Sequence, residues 1–197
     1  MAKTEKEKLL ASEYYDDSDP ELEAIKRKAQ ELTLAYNNTP EWETKKRRAL
    51  AQELLGRLGE GSALRGPIHF DYGAFTEIGR NCFANFNLTV LDCCSVKIGD
   101  NVLIGPGCTI AAPMHPFSIE ERKIRTREDG TSYTVLKGLP ITIQDGCWIC
   151  ASVTICGGVT IGANSIIGAG SVVTEDIPSG VIASGNPCRV VSKIREE

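Results

Sequence analysis

This chain of 197 residues has few histidines and no excess of basic residues. It has only two histidines, too few for a zinc ion held by three of them, and no metal is expected. Its 22 basic residues are outnumbered by 26 acidic ones, so nothing favours binding to nucleic acid or to an anionic membrane. No apolar run approaches the ~20 residues that span a bilayer. The N-terminus, MAKTEKEKLL, lacks the apolar centre of a secretory signal, so a cytoplasmic protein is expected.

What the sequence does have is a branched apolar residue at every sixth position through its C-terminal two-thirds. The later positions of this repeat are Ile143, Ile149, Ile155, Ile161, Ile167 and Val173. The earlier ones are Ile78, Ala84, Val90 and Val96, followed by Ile98, Ile104 and Ile110. A period of six fits neither a helix nor an ordinary strand. It is typical of hexapeptide β-solenoids, in which each step forms one flat face and three steps close a turn.

A second set of positions, four residues after most of the branched ones, supports this prediction. All of its members are small or β-branched, as a narrow interior requires: Cys82, Cys94, Val102, Cys108, Cys147, Val153, Val159, Ser165 and Ser171. Glycines often follow the branched residue directly, where a tight corner favours a residue without Cβ: Gly79, Gly99, Gly105, Gly162 and Gly168.

The eight cysteines are interpreted as reduced, structural residues. Four of them fall on the small inward positions, where a free thiol behaves as a small apolar group. Cys147 and Cys150 form a C-x-x-C motif, but the sequence contains no second one, and two histidines cannot complete a zinc site. Reduced thiols are typical of a reducing compartment.

The chain divides into three parts. Residues 1–60 are predicted to be helical, with helix starts at Asp19-Pro20 and Thr39-Pro40 and with Tyr36 and Trp42 in core or interface packing. Residues 61–182 are predicted to form the solenoid, interrupted by a loop at 111–140 in which the repeat breaks. Residues 183–197 form a C-terminal tail.

The charged loop is the expected location of the chemistry, because long loops in compact domains are usually functional. His115 lies at its root and precedes Pro116. An imidazole with a pKa near ~6.5 can accept a proton at cytoplasmic pH. From the residues alone, an ordinary loop histidine and a catalytic base remain equally open.

Several motifs, in order along nearly the whole chain, resemble the maltose/galactoside O-acetyltransferase family of hexapeptide-repeat acyltransferases. They are Tyr72-Gly73, Ile78-Gly79-Arg80-Asn81, Ala84-Asn85-Phe86-Asn87, Ile98-Gly99-Asp100-Asn101, His115-Pro116 and Gly185-Asn186-Pro187-Cys188-Arg189. The resemblance implies a mostly β fold, a left-handed parallel β-helix with an N-terminal helical region and a long inserted loop. It also implies a homotrimer with acetyl-CoA bound between subunits, and a small sugar as acceptor, with residues 1–60 as a cap on the acceptor side.

The resemblance further assigns roles to residues. His115 matches the general base of direct acetyl transfer, and Asn85 matches an asparagine that assists the transition state or holds the acceptor, although a structural asparagine ladder is the alternative for Asn85. The positions matched to acceptor binding are Asp17, Asp71, Asn85, Asp92 and Cys93. Those matched to acetyl-CoA binding are Trp148, Ala151, Ala169, Thr174 and Arg189. Two basic family positions appear here as Glu175 and Ser192, which predicts a looser hold on the CoA phosphates.

Other functions remain possible at this point. A non-catalytic β-helix scaffold would have the same repeats but no need for a His-Pro loop. A hexapeptide acetyltransferase acting on an antibiotic or on another small alcohol or amine differs only in its acceptor. A gamma-class carbonic anhydrase is excluded by the histidine count. Among sugars, maltose, glucose and galactosides all remain open.

Overall fold

The computed structural model describes residues 2–194; residues 195–197, part of the predicted tail, lie outside the described residues. The N-terminal region consists of α1 (Glu5–Leu10), β1 (Tyr15–Asp16), α2 (Pro20–Asn37) and α3 (Thr44–Leu54). The Asp19 side chain caps α2 by accepting from two backbone N–H groups, and Pro20 occupies the first helical position. This start is where the sequence predicted it. No described helix is long and apolar enough to cross a bilayer.

The second predicted helix start is wrong. The segment from Pro40 to Glu43 forms a turn closed by the Glu43 N–H and the Pro40 carbonyl (3.0 Å), and α3 begins only at Thr44. As a result Trp42 is 82% exposed and does not pack in the core, which leaves interface packing as the prediction for it, while Tyr36 is buried as predicted. A Thr-Pro pair initiates a turn as readily as a helix, which is why the sequence misplaced this boundary.

The rest of the chain winds into a parallel β-helix with three strands per coil, so that three sheets form the faces of a triangular prism. The first face contains β2 (Arg57–Leu58), β5 (Thr76–Ile78), β8 (Val96–Ile98), β15 (Ile141–Ile143) and β18 (Thr160–Ile161). The second face contains β3 (Ala63–Leu64), β6 (Phe83–Ala84), β9 (Leu103–Ile104), β16 (Trp148–Ile149), β19 (Ile166–Ile167), β21 (Val181–Ser184) and β22 (Arg189–Lys193). The third face contains β4 (Ile68–Phe70), β7 (Leu88–Leu91), β10 (Thr109–Ala111), β17 (Thr154–Cys156) and β20 (Val172–Val173).

The solenoid extends beyond both of its predicted ends. Its first strand begins at Arg57, inside the predicted helical region, and β21 runs to Ser184, inside the predicted tail. Gly59 also belongs to a coil: its N–H donates to the Ile78 carbonyl at 2.8 Å, and a Cβ on it would lie 2.2 Å from the Gly79 carbonyl oxygen of the next coil.

The interior of the prism contains the residues that the repeat predicted. Every branched position listed above is at most 4% exposed, and every small position four residues later is at most 5% exposed. The glycines after the branched residues have a different cause from the one predicted. A Cβ on Gly105 would lie 2.6 Å from the Ala151 nitrogen of the next coil, so close stacking of the coils excludes it. The left-handed corner positions lie two residues further on, at Asn101 and Gly107, for example.

The inserted loop leaves the third coil after β10 and rejoins the stack at β15. It contains β11 (Pro113–Met114), α4 (Ile119–Arg122), β12 (Arg125–Thr126), β13 (Ser132–Tyr133) and β14 (Val135–Gly138). Strand β14 pairs antiparallel with β11 on one side and with β1 on the other. The insertion therefore ties the N-terminal region to the corner of the prism from which it emerges.

Candidate active site

The corner between the third face and the first face of the next coil, here called the acceptor corner, carries the first group of candidate residues. Asp71 follows β4, Asp92 and Cys93 follow β7, and the inserted loop follows β10, so that successive coils place them one above the other. Strand β1 covers this corner through its pairing with β14.

Two carboxylates meet at the acceptor corner. Burial raises the pKa of Asp71 above its usual value, Lys26 opposes this shift, and the negative charge of Asp17 adds to it. Asp17 accepts a hydrogen bond from Thr134 Oγ1 at 3.3 Å. The Lys26 ammonium also lies 5.1 Å from the centre of the Tyr72 ring. The corner thus presents two acids and one cation to a bound molecule.

Beneath these charges lies a buried layer formed by Tyr15, Tyr72 and Cys93. Each is 1% exposed, and burial raises the pKa of the Cys93 thiol to about 12. Burial likewise raises the pKa of both phenols, whose hydroxyl oxygens have no hydrogen-bond partner within the described chain. Cys93 was predicted to bind the acceptor, but a thiol this deeply buried is a wall of the corner and not a contact surface.

Asp92 was also predicted to bind the acceptor, and its position contradicts this. Its side chain is fully buried; one oxygen accepts from the backbone N–H groups of Tyr72 (2.9 Å) and Gly73 (3.1 Å), and the other accepts from Thr76 Oγ1 (2.9 Å). Burial raises its pKa even though it accepts these bonds. Asp92 fixes the backbone next to Asp71, and its carboxylate has no surface left for a substrate.

His115 lies at the edge of the same corner. It directly follows β11, whose last residue, Met114, pairs with Lys137 of β14. On its other side β14 pairs with β1, through Leu136 and Tyr15. Two strand spacings of ~4.8 Å therefore separate β11 from β1. The imidazole is exposed and makes no hydrogen bond within the described residues, so its nitrogens are accessible to a substrate.

Asn85 belongs to a second group of residues, at the corner between the second and third faces. This corner is here called the cleft corner, because the candidate acetyl-CoA residues Ala151 and Ala169 also lie on it. It follows β6, and its backbone N–H bonds to the Ile104 carbonyl of the next coil (2.9 Å). Its side-chain oxygen accepts from the Phe86 N–H at 2.8 Å. The amide nitrogen of this half-buried side chain makes no hydrogen bond within the described residues, so it can still donate one.

Three of the predicted acetyl-CoA positions share the cleft corner or the face beside it. Ala151 and Ala169 are corner residues on later coils, in line with Phe86, and Trp148 points outward from β16 with half of its surface exposed. Trp148 lies in an outer column of the second face formed by apolar residues in register: Ala63, Phe83, Leu103, Trp148, Ile166 and Ile182.

The remaining two positions lie apart from these. Thr174 is at the acceptor corner, in register with Asp71, and Arg189 begins the antiparallel strand β22. The Arg189 guanidinium pairs with Glu175 at 3.2 Å, and both side chains are exposed. Glu175, which departs from the family pattern, thus neutralises the charge of Arg189, the residue expected to bind a CoA phosphate.

The candidate residues therefore form two groups on different corners of one prism. The third face separates His115, Asp17 and Asp71 from Asn85 and the cleft corner. Its strands extend ~3.3 Å per residue. Sequence reasoning missed Lys26, Tyr15 and Tyr72 as constituents of the site. Nothing in the helical pattern around Lys26 distinguishes it from the other charged residues of α2.

All eight cysteines are free. Cys147 Sγ donates to the Gly162 carbonyl at 3.2 Å, and Cys108 Sγ donates to the Cys150 carbonyl at 3.0 Å, so these thiols bond to neighbouring coils. Within residues 2–194, no three His, Cys, Asp or Glu side chains gather closely enough to hold a metal ion.

Comparison with known proteins gives matches to three families along the chain. Residues 8–59 match the maltose acetyltransferase hexapeptide capping motif. Residues 140–175 match the bacterial transferase hexapeptide (six repeats), and residues 95–122 match the hexapeptide repeat of succinyl-transferase.

Relatives match over nearly the full length. The galactoside O-acetyltransferase of Escherichia coli K12 is 41% identical over 96% of this chain and 89% of its own. The crystal structure of a maltose O-acetyltransferase from Clostridium difficile 630 superposes with a TM-score of 0.91, at 40% identity and full coverage of both chains. A hexapeptide-repeat acetyltransferase from Vibrio cholerae, complexed with acetyl coenzyme A, superposes with a TM-score of 0.86, at 34% identity over 98% of this chain and all of its own. The left-handed parallel β-helix that the resemblance implied is confirmed, and the chain belongs to the maltose/galactoside O-acetyltransferase family of hexapeptide-repeat transferases.

Proposed function

We propose that this acetyl-CoA-dependent O-acetyltransferase moves an acetyl group directly onto a hydroxyl of a small sugar, with His115 as the general base. The observation that carries the proposal is the acceptor corner, where an exposed imidazole shares one edge of the prism with two carboxylates. Carboxylates commonly bind sugar hydroxyls through strong hydrogen bonds, and Asp17 and Asp71 supply two of them.

In the proposed reaction, His115 removes the proton of the acceptor hydroxyl as its oxygen attacks the thioester carbonyl. The carbon–sulfur bond then breaks, and the proton held by the imidazolium passes to the departing thiolate of CoA. No covalent enzyme intermediate is needed, because both substrates are held side by side. The thiol of Cys93 is unsuited to form one, since burial raises its pKa to about 12.

The separation of the two groups supports a homotrimer with its sites between subunits. A rotation about a threefold axis can bring the cleft corner of one copy against the acceptor corner of the next. The Asn85 amide of one subunit would then donate to the developing oxyanion beside His115 of its neighbour. The outer apolar column of the second face favours burial in such an assembly, since it would otherwise expose Phe83, Leu103 and Trp148 to water.

The acetyl-CoA site would lie along the same cleft. Trp148 offers an apolar wall for the pantetheine arm, and Ala151 and Ala169 leave its path open because their side chains are small. Thr174 and Arg189 are the remaining candidates. To bind a phosphate of acetyl-CoA, Arg189 must first break its ion pair with Glu175.

A cytoplasmic location fits the eight free thiols, since a reducing compartment keeps cysteines from pairing. The proposed cosubstrate, acetyl-CoA, would be available in that compartment. Fractionation of the cells that produce the protein, with detection by antibody, tests this location.

The first experiment is to measure the release of CoA from acetyl-CoA across glucose, maltose, galactosides, small alcohols, amines and chloramphenicol. Turnover with a sugar supports the proposal. Turnover with only an amine or an antibiotic contradicts the sugar acceptor, and no turnover together with no acetyl-CoA binding in calorimetry contradicts the enzyme function. Because the released CoA is detected with a thiol reagent, the signal from the protein's own eight thiols must be subtracted.

His115→Ala should lower kcat by about 10²- to 10⁴-fold while acetyl-CoA still binds, because only proton transfer is lost. Asn85→Ala should lower it by about 10²- to 10³-fold if the amide stabilises the oxyanion. His69→Ala is the matched control, since His69 is the other histidine, is exposed in the middle of β4 on the third face and has no role in the proposed reaction. A His115→Ala enzyme with normal kcat would show that the base lies elsewhere.

A further inference from the structure

The inserted loop carries a hairpin whose turn is built around Arg127. The Arg127 N–H bonds to the Thr131 carbonyl at 2.8 Å, and its Nη1 donates to Thr131 Oγ1 at 3.1 Å. Asp129 holds Thr131 in place by accepting from its N–H and its hydroxyl (2.9 and 2.7 Å). The Arg127 guanidinium lies 4.4 Å from the centre of the Tyr133 ring. These contacts within the hairpin hold the Arg127 side chain in one orientation, independently of its contacts outside the hairpin.

From there Arg127 reaches the N-terminal region. Its Nη2 donates to Ser18 Oγ at 2.9 Å and to the carboxylate of Asp16. The other Asp16 oxygen accepts from the Ser18 N–H (3.0 Å) and hydroxyl (2.7 Å). Asp16, Ser18 and Arg127 thus form a closed set of hydrogen bonds, here called the Arg127 clamp, between segments more than a hundred residues apart in sequence.

The residue enclosed by this clamp is Asp17. Asp17 and Ser18 form a turn that leaves β1 after Asp16 and is closed by the Asp19 N–H and the Asp16 carbonyl at 3.4 Å, so the bonds of Arg127 to Asp16 and Ser18 fix the turn that carries Asp17. The Asp17 carboxylate accepts from Thr134 Oγ1, and its charge acts on Asp71. The clamp fixes both neighbours of Asp17 without touching the acceptor corner itself.

We propose that Arg127 is a positioning residue for the acceptor site: by clamping Asp16 and Ser18, it holds the Asp17 carboxylate facing Asp71. This inference rests on the proposed function, since it assigns a task within the acceptor site. An isolated exposed ion pair is worth little. Arg127 is different because it combines stacking with bonds to two partners, which requires the flat, forked guanidinium that a lysine lacks.

Arg127→Ala and Arg127→Lys test the clamp, with Glu128→Ala as the matched control. Glu128 is the exposed neighbour in the same turn and makes no ion pair or side-chain hydrogen bond within the described residues. Arg127→Ala should raise the acceptor KM by about 10- to 100-fold, because a carboxylate displaced by ~1 Å loses its hydrogen bonds to the sugar. Arg127→Lys should restore only part of this, and the KM for acetyl-CoA should stay within about twofold.

Hydrogen exchange of residues 15–18 supplies a readout that does not depend on turnover. Arg127→Ala should speed exchange there and leave the coil strands unchanged, whereas Glu128→Ala should change neither region. An unchanged acceptor KM, or an equal rise in both KM values, overturns the positioning role. If the wild-type enzyme acetylates no acceptor, the proposed function fails, and unchanged exchange in Arg127→Ala would then overturn the clamp separately.

Discussion

At the scale of single residues, Asp71 and Asp92 show how burial separates two similar side chains. Both follow a strand of the third face, and both match acceptor-binding positions. Asp71 is partly exposed and faces Asp17, whereas Asp92 is fully buried and accepts three hydrogen bonds from its own corner. Spacing predicted which corner they share, but not which carboxylate remains free, because that depends on how the chain turns after each strand.

The buried Asp92 leads to a pH-dependent prediction. Its pKa in the folded chain is raised from the ordinary 3.8, so its contribution to stability is fully present below that value and is lost as the pH rises through the folded pKa. Asp92→Asn keeps an acceptor for Tyr72 and Gly73 and does not titrate. We therefore expect the variant to gain stability relative to the wild type between pH 4 and pH 7.5, by about 1.4 kcal/mol for each tenfold change in proton affinity.

Urea unfolding at both pH values measures this difference. Asp92→Ala is the control, since it loses the acceptor altogether and should be less stable than the asparagine variant at every pH. A stability difference between wild type and Asp92→Asn that does not change with pH would contradict the prediction.

At the scale of elements, two glycines of one corner are required for different reasons. A Cβ on Gly105 would lie 2.6 Å from the Ala151 nitrogen, whereas Gly107 adopts a φ of +70° and has only Ser152 Oγ near its Cβ position, at 3.4 Å. Asn87 and Ser152 occupy the position of Gly107 in the neighbouring coils and share its left-handed conformation. Asparagine tolerates this left-handed conformation better than most residues.

Gly105→Ala should therefore lower the free energy of unfolding by about 1–3 kcal/mol, since backbone atoms of the next coil must move. Gly107→Asn should cost about 1 kcal/mol or less. Thermal unfolding of both variants checks the order, and a reversed order would show that backbone conformation, not coil spacing, limits the corner.

The strands could be predicted because each coil repeats a local rule every six residues. The start of α3 and the exposure of Trp42 could not, since both depend on whether a Thr-Pro pair opens a turn or a helix. The partner of the inserted loop could not be predicted either. Strand β14 pairs with β1, more than a hundred residues away, and no periodicity links the two.

At the scale of the whole molecule, the outer faces of the prism differ. The second face carries the apolar column that includes Phe83, Leu103 and Trp148, whereas the first face carries charged and hydroxyl side chains in register: Arg57, Glu77, Lys97, Thr142 and Thr160. Such a contrast favours association through the second face and contact with water through the first.

Leu103→Glu should convert the proposed trimer to monomer, because it places a charge in the apolar column. Thr142→Glu puts the same charge on the first face and should leave the assembly intact. Sedimentation velocity distinguishes the two outcomes, and a Leu103→Glu protein that sediments like the wild type would rule out the second face as the interface. Activity should fall together with the trimer, because the two groups of site residues would separate.

The point at which the inserted loop leaves and rejoins the coils has a consequence for how such proteins diversify. The Leu139 N–H bonds to the Ala112 carbonyl at 2.9 Å, so both ends of the loop meet, and β10 pairs with β17 as though nothing intervened. The length and composition of the loop can therefore change by mutation or by grafting without shifting the stacked coils. Under the proposed function, acceptor choice would change with the loop, while the coils that would form the acetyl-CoA cleft stay the same.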